Sequence, residues 1–483
     1  MLRNKDIKNI SELKKAFVSA HKKSEFFINI IDVLKLGKFH SVFSTVKKKG
    51  IRPLVLIKIL IILPFIDQKS IYGFIHSYWD RHAGFGKDAY YRLKNNPNIN
   101  WRTFLIGVAI QALTTLTKHG YNATKGLSKA FVFDDTTIAK TGYTIEGVSK
   151  VWNHVIHKSI LGYQLLVMGL YDGAMFIPIN FSLHREKGGN KKYKFGLPPK
   201  HYRKQYKKKR EKYSQGAKRK RELDISKIAS VVRMIKYAVE KGITADYVLT
   251  DSWFTCWEIV STTVENGMKF IGMFSKAKTL FTFRNKTLTY KEIRHLNKKH
   301  IKRSRRFNLY YIRTVAQWNG QTIALYFIRQ GKGGKWKTIV STDLKLDFNK
   351  TIEIYQIRWS IEVFFKESKQ MLSLGQSQSN DFDAQIADTT LVMIRYIFLA
   401  LRNRIDKYES LGEMFKNTKA DIIEVRLQER LIALLIAILK VVVAFFEDVD
   451  EEKLIEKIIH DEQAFEKINR LIYQPETNLQ KAA

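Results

Sequence analysis

The chain has 483 residues, 45% hydrophobic and 27% charged, which excludes a disordered polymer and leaves enough apolar surface for two to four separate cores. Lysine and arginine number 84 against 45 acidic residues, and a body carrying a net +39 needs a polyanion, of which nucleic acid is the usual one. The single cysteine, Cys256, excludes an intramolecular disulfide and a cysteine-rich zinc site, and it fits a reducing, cytoplasmic setting.

Met1 to Lys23 is polar and mixed in charge, so no signal peptide is expected there. Apolar spacing near 3.6 in Ile10–Phe17, Phe26–Leu36 and Leu54–Ile66 predicts helices, and residues 1–125 read as a helical DNA-binding domain. Aromatic and basic residues interleave through Ile71–Trp101, around turn signals at Gly84, Gly86 and Asn95–Pro97. Two apolar runs, Leu54–Ile66 and Leu431–Phe446, fall short of the ~20 residues that a membrane-spanning helix needs, so no membrane partner is expected.

From Ala130 the pattern turns to short β-type runs. Phe131–Phe133 reads as a strand ending at Asp134 and Asp135. Leu161–Leu170 and Met175–Phe181 read as a hairpin about Tyr171–Ala174. Ile225–Glu240 is an amphipathic helix closed by Gly242, with Asp224 as its expected cap. A strand at Tyr247–Leu249 leads to Asp251, a helix spans Trp253–Glu265, and a strand spans Met268–Phe274. Strands and helices in this order predict an α/β, ribonuclease-H-like domain over residues 126–379. Two inserts interrupt it. Arg185–Glu222 carries 17 lysines and arginines against 3 glutamates, and its Lys207, Lys208, Lys209 and Arg210 are expected to contact DNA phosphates. Residues 276–345 hold four β-type segments and read as a strand-rich insertion, after which Thr351–Met371 reads as one long helix. Residues 380–483 read as a helical region suited to dimerisation, and the stretch 447–483, with 10 acidic and 5 basic residues, would not face DNA.

Phosphodiester cleavage and strand transfer call for two divalent ions about 4 Å apart, one at the attacking oxygen and one at the leaving oxygen. Hard ions take oxygen ligands, so the requirement is a few carboxylates converging on rigid elements. Asp135, Asp251 and Glu362 are the candidates for catalysis and metal binding. Strand alternation allows only one of Asp134 and Asp135 to face the site. Glu362 lies in a Tyr355, Arg358, Glu362, Lys369 pattern, and at ~100° per residue all four share one helix face. Arginine and lysine beside a ligand carboxylate suit phosphate binding. His154 and His157 have a two-residue gap but no neighbouring ligands, so zinc is not expected.

Tyr355, Arg358, Glu362 and Lys369 match, spacing for spacing, the Y-R-E-K motif of the insertion-sequence-four family of DDE transposases. Asp135-Thr136-Thr137 resembles that family's first-aspartate motif and Asp251 is similar to its second, over roughly residues 125–400. The resemblance implies a ribonuclease-H-like core, dependence on Mg²⁺ with Mn²⁺ expected to substitute, a homodimer in the synaptic complex, and cut-and-paste movement of an element. The DNA partners it implies are the element's terminal inverted repeats and a target duplex. In members that pass through a DNA hairpin, a tryptophan of the β insertion fills the space of a flipped base, and Trp336 is similar in position. The alternatives are a nuclease or resolvase of the same fold that cleaves without joining, and a DNA-binding descendant without activity.

Overall fold

A computed structural model describes residues 36–44, 50–68, 70–76, 86–118, 128–189, 191–406 and 412–416, with isolated positions at 419, 461 and 463. The helices expected at 10–17 and, up to residue 35, at 26–36 lie outside the described residues, as do Tyr78, Trp79, Arg81, His82, the apolar run 431–446 and most of the acidic stretch. The chain divides into two compact units. One comprises residues 36–64 and 69–411; the other comprises 1–35, 65–68 and 412–483, little of it among the described residues.

The larger unit is built on one sheet of twelve strands. β1 (Ala130–Ala139), β3 (Lys158–Tyr171) and β4 (Phe176–His184) form an antiparallel meander, with the short β2 (Ser149–Asn153) pairing the start of β3. β5 (Tyr247–Thr250) and β6 (Lys269–Phe274) add on the other side of β1, both in parallel pairing. The order β4-β3-β1-β5-β6 is ribonuclease-H-like. Why β1 sits in the middle is plain from its residues: Phe131, Val132 and Phe133 are fully buried, each contributing about 1.5–3 kcal/mol by leaving water.

The remaining strands extend the same sheet past β6. β7 (Leu280–Phe283), β8 (Lys286–Thr289), β9 (Lys302–Ser304), β10 (Leu309–Trp318), β11 (Gln321–Gln330) and β12 (Lys337–Ser341) are all antiparallel, and β12 joins the core by pairing with β6. Asn319 and Gly320, with φ of 48° and 83°, make the two-residue turn between β10 and β11, the conformation in which the turn's twist matches the strands'.

Nine helices of eight or more residues stand among the described residues: α1 (Pro53–Ile62), α2 (Lys87–Lys94), α3 (Trp101–Lys118), α4 (Gln215–Glu222), α5 (Lys227–Glu240), α6 (Trp257–Glu265), α7 (Phe348–Gln356), α8 (Trp359–Met371) and α9 (Phe382–Asp406). Tyr90 and Trp101, from the stretch of interleaved aromatic and basic residues, are core residues, while Tyr72 and Tyr91 are exposed. The cap of α5 is Ser226, which accepts from the Ala229 amide; Asp224 instead pairs with Arg185 at 2.6 Å. Helix α6 starts at Trp257, four residues later than expected, because Asp251 holds residues 253 and 254 in a turn.

Helix α9 alone among the described residues is long and apolar enough to cross a membrane, and its apolar stretch is buried inside the fold. Its Arg395 is fully buried and donates to the Leu60, Ile61 and Leu372 carbonyls. Those are the last carbonyls of α1 and the end of α8, groups that no helical amide can reach. A single side chain thus fixes the end of α8 against α9.

Candidate active site

Strand alternation puts Val132, Asp134 and Thr136 on one side of β1 and Phe133, Asp135 and Thr137 on the other. β1 runs parallel to β5 with Val132 opposite Leu249. The same register, carried two residues on, sets Asp134 level with Asp251. Asp251 Oδ1 accepts from the Trp253 and Phe254 amides, both at 3.0 Å, a local turn that fixes the carboxylate just past the end of β5.

Helix α8 supplies the facing side chains. The expected single helix over 351–371 is broken at Ile357–Arg358, where i→i+3 bonds replace the i→i+4 ladder (Ile357 N to Ile354 O, Arg358 N to Tyr355 O, Ser360 N to Ile357 O). Such a tightened stretch inside a helix often marks a functional site. Trp359 is 59% exposed as a result, whereas Ile361, Phe364 and Phe365 are buried.

Across this break the motif residues converge. Arg358 Nη2 donates to Glu362 Oε1 at 2.6 Å, and its Nη1 lies 3.6 Å from Asp134 Oδ2. Lys369 Nζ donates to Thr136 Oγ1 at 2.6 Å, one alternation further along the same face of β1. Burial raises the Tyr355 phenol to about 12, so it stays a donor at neutral pH; Asp251 adds to the shift and Arg358 opposes it. Burial, then the charge of Asp251, pushes the Asp134 carboxyl up to about 7.

The structure therefore brings Asp251, Tyr355, Arg358, Glu362 and Lys369 together with Asp134. Asp135 turns away: its Oδ2 takes Lys227 Nζ at 3.0 Å from α5. Lys227 in turn lies 4.2 Å over the ring of Trp253, two residues after Asp251. Local sequence gives no sign of Lys227 or Trp253 in this role, because the contacts come from elements far apart in the chain.

Among the described residues no three carboxylates, histidines or cysteines lie close enough to share one metal ion, and the Arg358 guanidinium stands between Asp134 and Glu362 as their counter-charge. The donor set nonetheless fits a hard divalent ion. Asp134 and Asp251 would offer oxygen ligands whose mutual repulsion a cation would relieve, while Arg358 Nε, buried without a hydrogen-bond partner, is a donor that an anion and not a cation would satisfy.

The four cations expected to hold phosphates are separated by the structure. Lys207 and Lys209 are exposed. Lys208 and Arg210 point inward: Lys208 Nζ meets Asp381 at 2.8 Å and Asp383 at 2.9 Å, and Arg210 forks onto Glu146 at 2.8 and 2.6 Å while its Nε meets Asp383. Those two are a correction to the expected phosphate contacts, since a chain running along a surface sends alternate side chains in and out. Trp336 is part-exposed, with Arg329 4.6 Å and Arg294 5.7 Å from its ring centroid.

Acidic groups at the ends of adjacent parallel strands, faced by an arginine and a lysine on a helix, define a nucleic-acid-cleaving enzyme on a ribonuclease-H-like sheet. Residues 62–322 match the family model of the DDE superfamily endonuclease, more than half of the chain, and the protein belongs to that family. The match spans Asp134, Asp135 and Asp251 and ends before Glu362. Endonucleases of this superfamily act on DNA and typically use divalent metal. No curated protein matches the chain.

Proposed function

We propose that this endonuclease is a transposase of the insertion-sequence-four type, which cleaves DNA at the ends of an element and joins them to a target. The observation that carries the reading is the convergence of Tyr355, Arg358, Glu362 and Lys369 on the acidic ends of β1 and β5. The acids are Asp251, Glu362 and one of Asp134 and Asp135; the shared face favours Asp134. Mg²⁺ ions held by these acids would supply Lewis acidity and an activated oxygen nucleophile. Arg358 offers a fork to the oxygens of the scissile phosphate, and Lys369 a point charge further along the strand. Tyr355, a neutral phenol, stands beside Arg358 and within the field of Asp251. End recognition by the first 125 residues, dimerisation through residues 380–483 and a cytoplasmic setting complete the reading.

The test is single-turnover cleavage of a pre-bound element end with saturating Mg²⁺. Asp251→Ala, Glu362→Ala and Asp134→Asn abolish cleavage and leave end binding intact. Asp135→Asn retains measurable cleavage, since it loosens Lys227 without removing a ligand. The opposite ranking, with Asp134→Asn active and Asp135→Asn dead, returns the role to Asp135. Strand transfer of a pre-cleaved end distinguishes a transposase from a nuclease of the same fold: cleavage without joining makes it the latter.

A further inference from the structure

Trp253 stands two residues after Asp251 and is 49% exposed, although tryptophan is on average a highly buried side chain. Its neighbour Phe254 is fully buried, so the turn after β5 sends one ring into the core and leaves the next at the surface. The two rings meet edge to face with centroids 4.7 Å apart. The Trp253 amide donates to Asp251 Oδ1 at 3.0 Å, which ties the residue to the acid it follows.

The exposed ring is nonetheless held. Lys227 Nζ lies 4.2 Å from its centroid and 3.0 Å from Asp135 Oδ2, so a cation drawn to the ring is itself fixed by a carboxylate. Lys227 opens α5, whose first turn is capped by Ser226. A side chain constrained by the turn, by Phe254 and by Lys227 loses little further freedom when it meets a ligand.

The ligand follows from the position. Asp251 borders Trp253 through the turn and Asp135 borders it through Lys227, so the ring lies at the rim of the acidic strand ends whichever of Asp134 and Asp135 holds metal. A scissile phosphate at those acids carries a nucleoside on each side. A phosphate is met by cations, whereas the π surface of a base is what an indole can cover. We propose that Trp253 is a substrate-contacting residue of this endonuclease, its exposed indole packing on the base that flanks the scissile phosphate and holding that nucleotide for cleavage. The assignment rests on Asp251 being a site acid, and it applies equally to a nuclease and to a transposase.

The experiment binds the full chain, with Ca²⁺ in place of Mg²⁺, to a duplex bearing a short single-stranded tail of 5-iodo-2′-deoxyuridine. Irradiation crosslinks the tail to aromatic side chains, and mass spectrometry maps them. Neither cleavage nor recognition of an element end is needed, so the result is separate from the cleavage tests above. A crosslink at Trp253 is expected. Fluorescence anisotropy then compares Trp253→Ala with wild type on a thymidine tail and on an abasic tail of equal length. On the thymidine tail the variant should bind about 5- to 150-fold more weakly, the range for one lost base–aromatic contact, and on the abasic tail the difference should vanish. Trp253→Phe keeps a ring and should recover most of the affinity. Bound DNA that gives no crosslink at Trp253, including one confined to Trp336 or Trp359, overturns the proposal. So does an equal loss on both tails, the outcome of a merely structural role.

Discussion

Arg210 was expected from sequence to contact DNA, and the structure makes it a buried structural group, so replacing it discriminates sharply. Its side chain is 5% exposed, forks onto Glu146 and meets Asp383, whose own side chains are 7% and 3% exposed. Lys208 bridges Asp383 to Asp381, and the Phe382 amide donates to Glu146. The basic insert is thereby tied to the first turn of α9. Arg210→Ala leaves Glu146 with Lys220 alone at 3.4 Å and strips Asp383 of one of two cations. Removing one partner of a buried pair costs about 3–5 kcal/mol, because the remaining charge stays in a poor solvent. Melting temperature moves by roughly 2 °C per kcal/mol at the low end suited to a large unit, so a drop of about 6–10 °C is expected. Lys207→Ala/Lys209→Ala should change stability by less than ~0.5 kcal/mol per site, being exposed. If both meet phosphates, that pair should instead flatten the slope of log affinity against log salt by about 1.8. Thermal melts and fluorescence anisotropy on a labelled duplex read the two effects. A normal melting temperature in Arg210→Ala with a flattened salt slope would refute the buried network and restore Arg210 to the DNA surface.

Arg358→Ala should slow single-turnover cleavage by about 10²–10³, the range for removing a fixed donor from developing charge, and Arg358→Lys should recover part of it. A wild-type rate with a lowered melting temperature would make the residue purely structural. Trp336→Ala should weaken an end carrying one unpaired base by about 1–3 kcal/mol through lost stacking, and a fully paired end much less; equal losses would deny it that role. Burial opposes the Glu146 charge, but Arg210 and Lys220 outweigh it and hold the carboxyl below its ordinary 4.5. Its stabilisation is therefore full above about 4.5 and lost as pH falls through the lowered value. The gap in melting temperature between wild type and Arg210→Ala should narrow below pH 4.5, and a gap constant down to pH 3 would count against the pairing.

Much of the catalytic unit could be read from the chain because its signals are local. Phe131–Phe133, Tyr247–Leu249 and, in the insertion, Leu280–Phe283, Thr322–Phe327 and Thr338–Val340 are short β-type runs that lie in observed strands, while the run Phe307–Val315 begins two residues before β10. The α/β, ribonuclease-H-like class followed from their order. What stayed hidden is long-range or geometric. Lys208 and Arg210 look like their neighbours until α9, more than 170 residues later, brings Asp381 and Asp383 to them. The break at Ile357–Arg358 has no proline or glycine to announce it, and it turns Trp359 outward. β2 is short and stabilised only by the start of β3, so its composition gave no warning.

Two adjacent aspartates at a strand end pose a problem of parity that neither residue can settle alone. A one-residue change of register would exchange their faces. The parity is set by β5, through the pairing of Val132 with Leu249, and by α8, which brings Arg358 and Lys369 onto Asp134 and Thr136. The other face is not idle. Asp135 holds Lys227 over Trp253, which leads out of the turn that orients Asp251. Both aspartates therefore bear on the same end of the sheet, one directly and one through the loop after β5. This gives a physical reason for an acid at each position, and it is why Asp135→Asn is expected to leave measurable cleavage where Asp134→Asn leaves none.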